Sequence, residues 1–214
     1  MTKFLKCQLS NSNHINAALD IYMRSFPSNE RHPIDVIKER ISKNKSILYV
    51  GVENNKVNSF ALIWDLLGSN FVLLDYFAVD ENERNRGIGQ MFYNFLVSEV
   101  TGLGRFFILE VEKPLNKYDS ERIKRINFYL KNETKIIKDT PYILPALDST
   151  SETEMLLMIA NGEKCKFLNQ INIKNLIKQI YKELYQRDES DLLLLSFIDK
   201  VPVSINLTKQ IFYG

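Results

Sequence analysis

Two cysteines, two histidines and one tryptophan are all that this 214-residue chain holds of those types. Cys7 and Cys165 have neither metal-ligand spacing nor the look of a disulfide framework, so both are read as inert thiols in a reducing cytoplasm. His14 and His32 stand alone, and no metal is expected. Charge of one sign is also missing: 28 Lys and Arg face 26 Asp and Glu, for a formal net charge of +2. A dedicated nucleic-acid binder gathers basic charge on one face, so nucleic acid is not an expected partner. No apolar run approaches the roughly 20 residues of a membrane span. The opening "MTKFLKCQLS" lacks the apolar core of a signal peptide. The reading is a cytoplasmic protein with no membrane partner.

What is present is ordinary for a soluble globular chain, 45% hydrophobic and 25% charged. "FLKCQL" reads as a first strand, and "NSNHINAALDIYMRSF" as a helix with Ile15, Ala18, Leu19, Tyr22 and Met23 at helical spacing. "PIDVIKERIS" follows as a second helix, with Pro33 at its favoured first position. "SILYVGVE", "KVNSFALIWDLL" and "NFVLLDYFAV", separated by "NN" and "GSN", predict an antiparallel meander. Ile88, Met91, Phe92, Phe95, Leu96 and Val100 then mark one face of a third helix, ended by Gly102 or Gly104. "RFFILEVE" is a strand, "SERIKRINFYLKN" a helix capped at Asp119 or Ser120, and "TKIIKD" and "EMLLMIA" two more strands. Composition shifts at Gly162. "LNQINIKNLIKQIYKELYQR" is a helix with Ile173, Leu176, Ile177, Ile180 and Leu184 on one face, to be covered by the core or by a second subunit of a homodimer. "DLLLLSFIDKVPVSINL" fits either a short helix or a strand. The expected division is residues 1–161 as the main domain and 162–214 as an extension packed on it.

Between the third strand of the meander and the third helix lies "ENERNRGIGQMFYNFL", where Arg84, Gly87 and Gly89 form R-x-x-G-x-G. Glycine lets a ligand approach the backbone, and the first amides of a helix are unpaired donors with partial positive charge. Together they suit a pyrophosphate; a strand-to-helix turn that needs glycine for its dihedrals alone is the competing reading. A dinucleotide fingerprint would need a third glycine where Phe92 stands. A nucleoside-triphosphate loop would need Gly-Lys-Ser/Thr, which Gln90 and Met91 exclude.

Here the chain resembles the GNAT superfamily of N-acetyltransferases. "LLDYFAVDENERNRGIGQMFYNFL" is similar to that family's acetyl-coenzyme A motif, and "RFFILEVEKP", "RINFY" and "SFPSNERHP" follow the family's order over roughly residues 3 to 160. One departure stands out: after "FY" the family has a glycine-phenylalanine pair, and this chain has Glu133 and Thr134. The resemblance implies an α/β fold with a mixed, mostly antiparallel sheet, splayed between strands four and five, and helices on both faces; the residues after Gly162 lie outside it and read as a C-terminal helical extension. It implies acetyl-coenzyme A as cofactor, its pyrophosphate received by Arg84, Arg86, Gly87, Ile88, Gly89 and Gln90. Main-chain groups near Phe77 and Val79 would pair with the pantetheine amides. The acceptor would be the amine of a small molecule or peptide. Two rival readings stay open, a non-catalytic coenzyme A-binding sensor or scaffold and a transferase for a longer acyl group.

Acetylating an amine requires a proton acceptor for the amine and a proton donor for the departing thiolate. Asp75, Glu110 and Glu112 stand on strands that read as buried, and alternation puts Phe106, Ile108, Glu110 and Glu112 on one face. Apolar residues first and carboxylates last fit a core strand opening into a site, so Glu110 is the expected base, with Asp75 and Glu112 behind it. Ion pairs to Lys113, Arg122 or Arg125 are the structural alternative. Tyr129 matches the family's tyrosine beside the coenzyme sulfur, although Ile123, Ile126 and Leu130 also make it a candidate core residue.

Overall fold

The computed structural model describes residues 1–147, 151–166, 168–211 and 213. It divides into two compact units: residues 1–65 with 72–103, and residues 66–71 with 104–214.

The first unit holds β1 (Lys3–Lys6), α1 (Ser12–Ser25), α2 (Ile34–Ser42), β2 (Ser46–Glu53), β3 (Lys56–Asp65), β4 (Phe71–Val79) and α3 (Ile88–Gly102). Its strands pair in chain order, each antiparallel to the next. Asn54 and Asn55 both take positive φ, 50° and 60°, which is the two-residue turn whose twist matches a hairpin. One sheet face packs on α1 and α2 through Leu19, Ile21, Tyr22, Ile37, Leu48, Phe60 and Leu62. The other meets α3, with Phe4 stacked on Phe92 at 4.8 Å and Phe77 at 5.6 Å from the same ring. Two details of the helix pattern differ from expectation. Met23 and Met91 are exposed, and Ile21 and Tyr93 take the buried places. The apolar arc of each helix is wide enough for either neighbour, and packing chooses. Pro33 caps α2 and stands just before its first residue.

The second unit holds β5 (Phe106–Glu112), α4 (Ser120–Lys131), β6 (Thr134–Ile137), β7 (Ile143–Leu144), β8 (Thr153–Ala160), α5 (Gln170–Glu183), α6 (Leu192–Ile198) and β9 (Leu207–Thr208). β8 is central, antiparallel to β5 (Glu110 opposite Leu157) and to β6, and β9 extends β6 at Ile136 and Ile137. The ambiguous tail sequence therefore contains both elements. Asp191 caps α6 by accepting the Leu194 amide at 3.0 Å, and the chain is strand-like only at Leu207 and Thr208. α5 buries all five residues of its predicted face, from Ile173 to Leu184. Among the described residues, no helix is long and apolar enough to cross a membrane.

Candidate active site

In the first unit, β4 leads into a turn organised by Asp80. Its carboxylate accepts the Asn82 amide at 3.0 Å and the Arg24 guanidinium at 2.8 Å. Arg84 folds back to donate Nε–H to the Val79 carbonyl at 3.2 Å, and Arg86 pairs with Glu83 and with Glu53. Asn85 and Gly87 take positive φ, 64° and 76°. A Cβ on Gly87 would meet nothing within 4 Å, so glycine is required there by dihedral rather than by space. Gly89 differs. It lies in the first turn of α3, in right-handed helix, where glycine costs about 1 kcal/mol relative to alanine.

The first hydrogen bond of α3 runs from the Met91 amide to the Gly87 carbonyl at 3.1 Å. The amides of Ile88, Gly89 and Gln90 thus precede the helical ladder. Helices α4, α5 and α6 are each capped by a side-chain oxygen, from Asp119, Asn169 and Asp191; α3, like α1 and α2, has no side-chain cap. Its N-terminus presents donors and partial positive charge; Gly87 and Gln90 there are exposed, Gly89 is half-buried and Ile88 is buried.

On β4, Leu74 opposes Ile63 and Tyr76 opposes Leu62, so Asp75 is the extra residue of a β-bulge. Its side chain is only 7% exposed, 3.8 Å from the Arg40 guanidinium, which itself lies over the Trp64 ring. Asp75 Oδ2 has no hydrogen-bond partner. Burial outweighs the pull of Arg40 and raises the Asp75 pKa to about 6. Phe77 and Val79 pair with Ala61 and Ser59 of β3. The segment between α1 and α2 is tied down by two tyrosines: Tyr22 donates to the His32 carbonyl and Tyr76 to the Glu30 carbonyl, both at 3.0 Å. His32, half-buried and near Arg40, has its pKa lowered to about 4, chiefly by burial.

In the second unit, Glu110 is held by two phenols. Tyr142 donates to Oε1, and Tyr185 donates to Oε2 at 2.9 Å. Glu112 is matched instead by two guanidinium groups, Arg122 at 2.9 Å and Arg125 at 2.5 Å. Tyr129 is buried on α4, its ring edge-on to Phe128, and burial pushes its pKa up to about 12. Glu133 takes a φ of 55°, the left-handed conformation that suits the family's glycine at that position. Tyr142 and Tyr185 escape a reading of the sequence. One lies in a stretch without periodicity and the other just past a helix end, and neither position carries a signal of its partner. A cavity of about 550 Å³ opens beside Tyr142, walled by Ile136, Met155, Leu156 and Phe197 with Lys200 at its edge.

A meander running through a glycine turn into an uncapped helix is the arrangement expected of an acyl-coenzyme A transferase fold. A sequence model of the Acetyltransferase (GNAT) family matches residues 15–131, and the chain belongs to that family. No curated protein gives a significant match. Among solved structures, a GNAT-family protein from Bacteroides thetaiotaomicron is 20% identical with a TM-score of 0.71, covering 87% of this chain and 99% of its own. The ribosomal-protein-S18-alanine N-acetyltransferase from Escherichia coli is 18% identical, TM-score 0.53, covering 78% and 100%. An aminoglycoside 6'-N-acetyltransferase solved with coenzyme A is 16% identical, TM-score 0.57, covering 73% and 95%. At these identities the likeness is one of fold, the mixed and mostly antiparallel α/β fold expected from the sequence.

Proposed function

We propose that the protein is an N-acetyltransferase that moves an acetyl group from acetyl-coenzyme A to a primary amine by direct transfer in a ternary complex. The start of α3 carries this reading: three amides outside the helical ladder, no capping side chain, and Gly89 where the backbone does not demand glycine. Those groups fit a pyrophosphate, with Arg84, Arg86, Gly87, Ile88, Gly89 and Gln90 as its cradle. The main chain near Phe77 and Val79 is the proposed partner of the pantetheine amides. Residues 1–161 are read as the transferase domain and 162–214 as its extension, and the two free cysteines fit a cytoplasmic setting.

Acetyl-coenzyme A brings an activated acetyl thioester. The chain must accept a proton from the amine and supply one to the thiolate. Glu110 is proposed as the acceptor, directly or through a water. Tyr129, protonated up to about pH 12, is proposed as the donor. Asp75 is the second candidate base, because a pKa of about 6 leaves it charged at neutral pH yet more basic than an ordinary carboxylate. The fold does not choose the acceptor: the relatives above act on a protein alanine and on an aminoglycoside.

Calorimetry with acetyl-coenzyme A, followed by thiol release against a panel of amines from peptides to aminoglycosides, tests the reading. Expected are saturable binding and turnover with at least one amine. Glu110→Gln should lower turnover by about a hundredfold or more with cofactor affinity unchanged, and the loss should shrink at high pH as more amine is already neutral. Absence of binding refutes the reading. Binding without turnover on any amine makes the protein a coenzyme A-binding module instead, and turnover only with longer acyl donors reassigns the acyl group.

A further inference from the structure

The segment after Gly162 reaches the carboxylate of Glu110. Tyr181, near the end of α5, is fully buried and donates its hydroxyl to the Ile143 carbonyl. Its ring stands edge-on to Tyr142 at 6.2 Å, and Phe197 of α6 closes the third side at 6.1 Å from Tyr142 and 5.9 Å from Tyr181. Tyr142 is thereby held by two aromatic rings of the tail while its hydroxyl meets Glu110 Oε1. Tyr185, four residues after Tyr181, brings a second hydroxyl to Oε2 at 2.9 Å. The chain is fixed around it. Gln186 takes a left-handed φ of 53°, the Arg187 amide returns to the Tyr181 carbonyl at 3.0 Å, and the Arg187 side chain pairs with Asp191, the cap of α6.

We propose that Tyr142 and Tyr185 are positioning residues for Glu110, so that the C-terminal segment completes the site rather than merely covering apolar surface. A donor on each oxygen fixes the plane of the carboxylate, which a single donor would leave free to turn. Hydrogen bonds to the charged form also favour it over the protonated form. The donors are dependable. Burial and the nearby Glu110 charge hold the Tyr142 phenol well above its ordinary pKa, so it keeps its proton. Being neutral, the phenols add no positive charge against the carboxylate, whereas Glu112 faces two guanidinium groups. The inference rests on the reading of Glu110 as the base.

The test uses the full chain labelled with carboxyl-¹³C glutamate, the Glu110 signal being identified by its loss in Glu110→Gln. In Tyr185→Phe and Tyr142→Phe the titration midpoint of Glu110 should move to higher pH. Turnover with the best amine of the panel should fall roughly tenfold to a hundredfold, with the KM for acetyl-coenzyme A little changed. A midpoint that stays in place in a folded Tyr185→Phe overturns the proposal, whatever the activity. A midpoint that moves while Glu110→Gln keeps parental turnover refutes Glu110 as the base, and the positioning role falls with it. If Tyr142→Phe does not fold, Tyr185→Phe, at a site that is only partly buried, decides alone.

Discussion

Replacing Asp75 by asparagine probes the electrostatics of β4 in a way that can be put in numbers. The side chain sits at a bulge, 7% exposed, and burial raises its pKa from 3.8 to about 6 against the opposing pull of Arg40. A difference of about two units, at about 1.4 kcal/mol each, is about 3 kcal/mol. The sign follows from linkage. Between pH 4 and 6 the folded chain holds this proton while the unfolded chain has released it, so stability falls as pH rises. His32 acts the other way: with its pKa lowered from 6.5 to about 4, the stability it contributes is lost as pH falls through that window. Only the difference between variant and parent therefore isolates Asp75. The amide of the Asp75→Asn variant keeps the volume and cannot ionise. In urea unfolding, the variant should gain about 3 kcal/mol on its parent between pH 3 and pH 7. At about 2–4 °C per kcal/mol for a chain of this size, that is roughly 6–12 °C in Tm. A difference that does not change with pH would refute the argument. A difference of opposite slope would mean that the Arg40 pairing outweighs burial.

Gly89→Val should weaken acetyl-coenzyme A binding at least tenfold, about 1.4 kcal/mol, measured by calorimetry; unchanged affinity in a folded variant would reduce the turn to a backbone feature. A chain ending at Asn161 loses the β9 pairing with β6 and the buried face of α5, and should aggregate or change mass in light scattering. If it keeps parental mass and activity, the tail is dispensable. Glu133→Gly should relieve about 1 kcal/mol of left-handed strain, partly offset by unfolded-chain entropy, and raise Tm by a degree or two. A fall in Tm would mean that the glutamate side chain stabilises the turn.

The elements governed by local chemistry were legible. Two asparagines made the β2–β3 hairpin, Asp119 capped α4, and the α5 face was buried residue for residue, because each depends on neighbours a few positions away. The glycine turn was legible for the same reason, and the structure separates its two glycines: Gly87 answers to φ, Gly89 does not. What stayed hidden depends on long-range partners. The choice of Ile21 over Met23 is made by packing, and the two tyrosines on Glu110 come from positions 32 and 75 residues away.

The three strand carboxylates show why that distinction matters for function. Alternation along β5 placed Glu110 and Glu112 on one face and could go no further, since a carboxylate's role is set by what surrounds it. Glu112 meets two cations, and its charge is balanced where it stands. Asp75 meets one cation at 3.8 Å without a hydrogen bond to Oδ2, and burial leaves it short of compensation. Glu110 meets a phenol donor on each oxygen, Tyr142 on Oε1 and Tyr185 on Oε2. A base must be charged, fixed and still able to take a proton. On the proposed reading these surroundings rank Glu110 first, Asp75, which lacks a hydrogen bond to Oδ2, second, and Glu112, facing two guanidinium groups, last. Turnover of Glu110→Gln, Asp75→Asn and Glu112→Gln should accordingly fall in that order of severity, and a Glu112 variant that loses the most would overturn the ranking by environment.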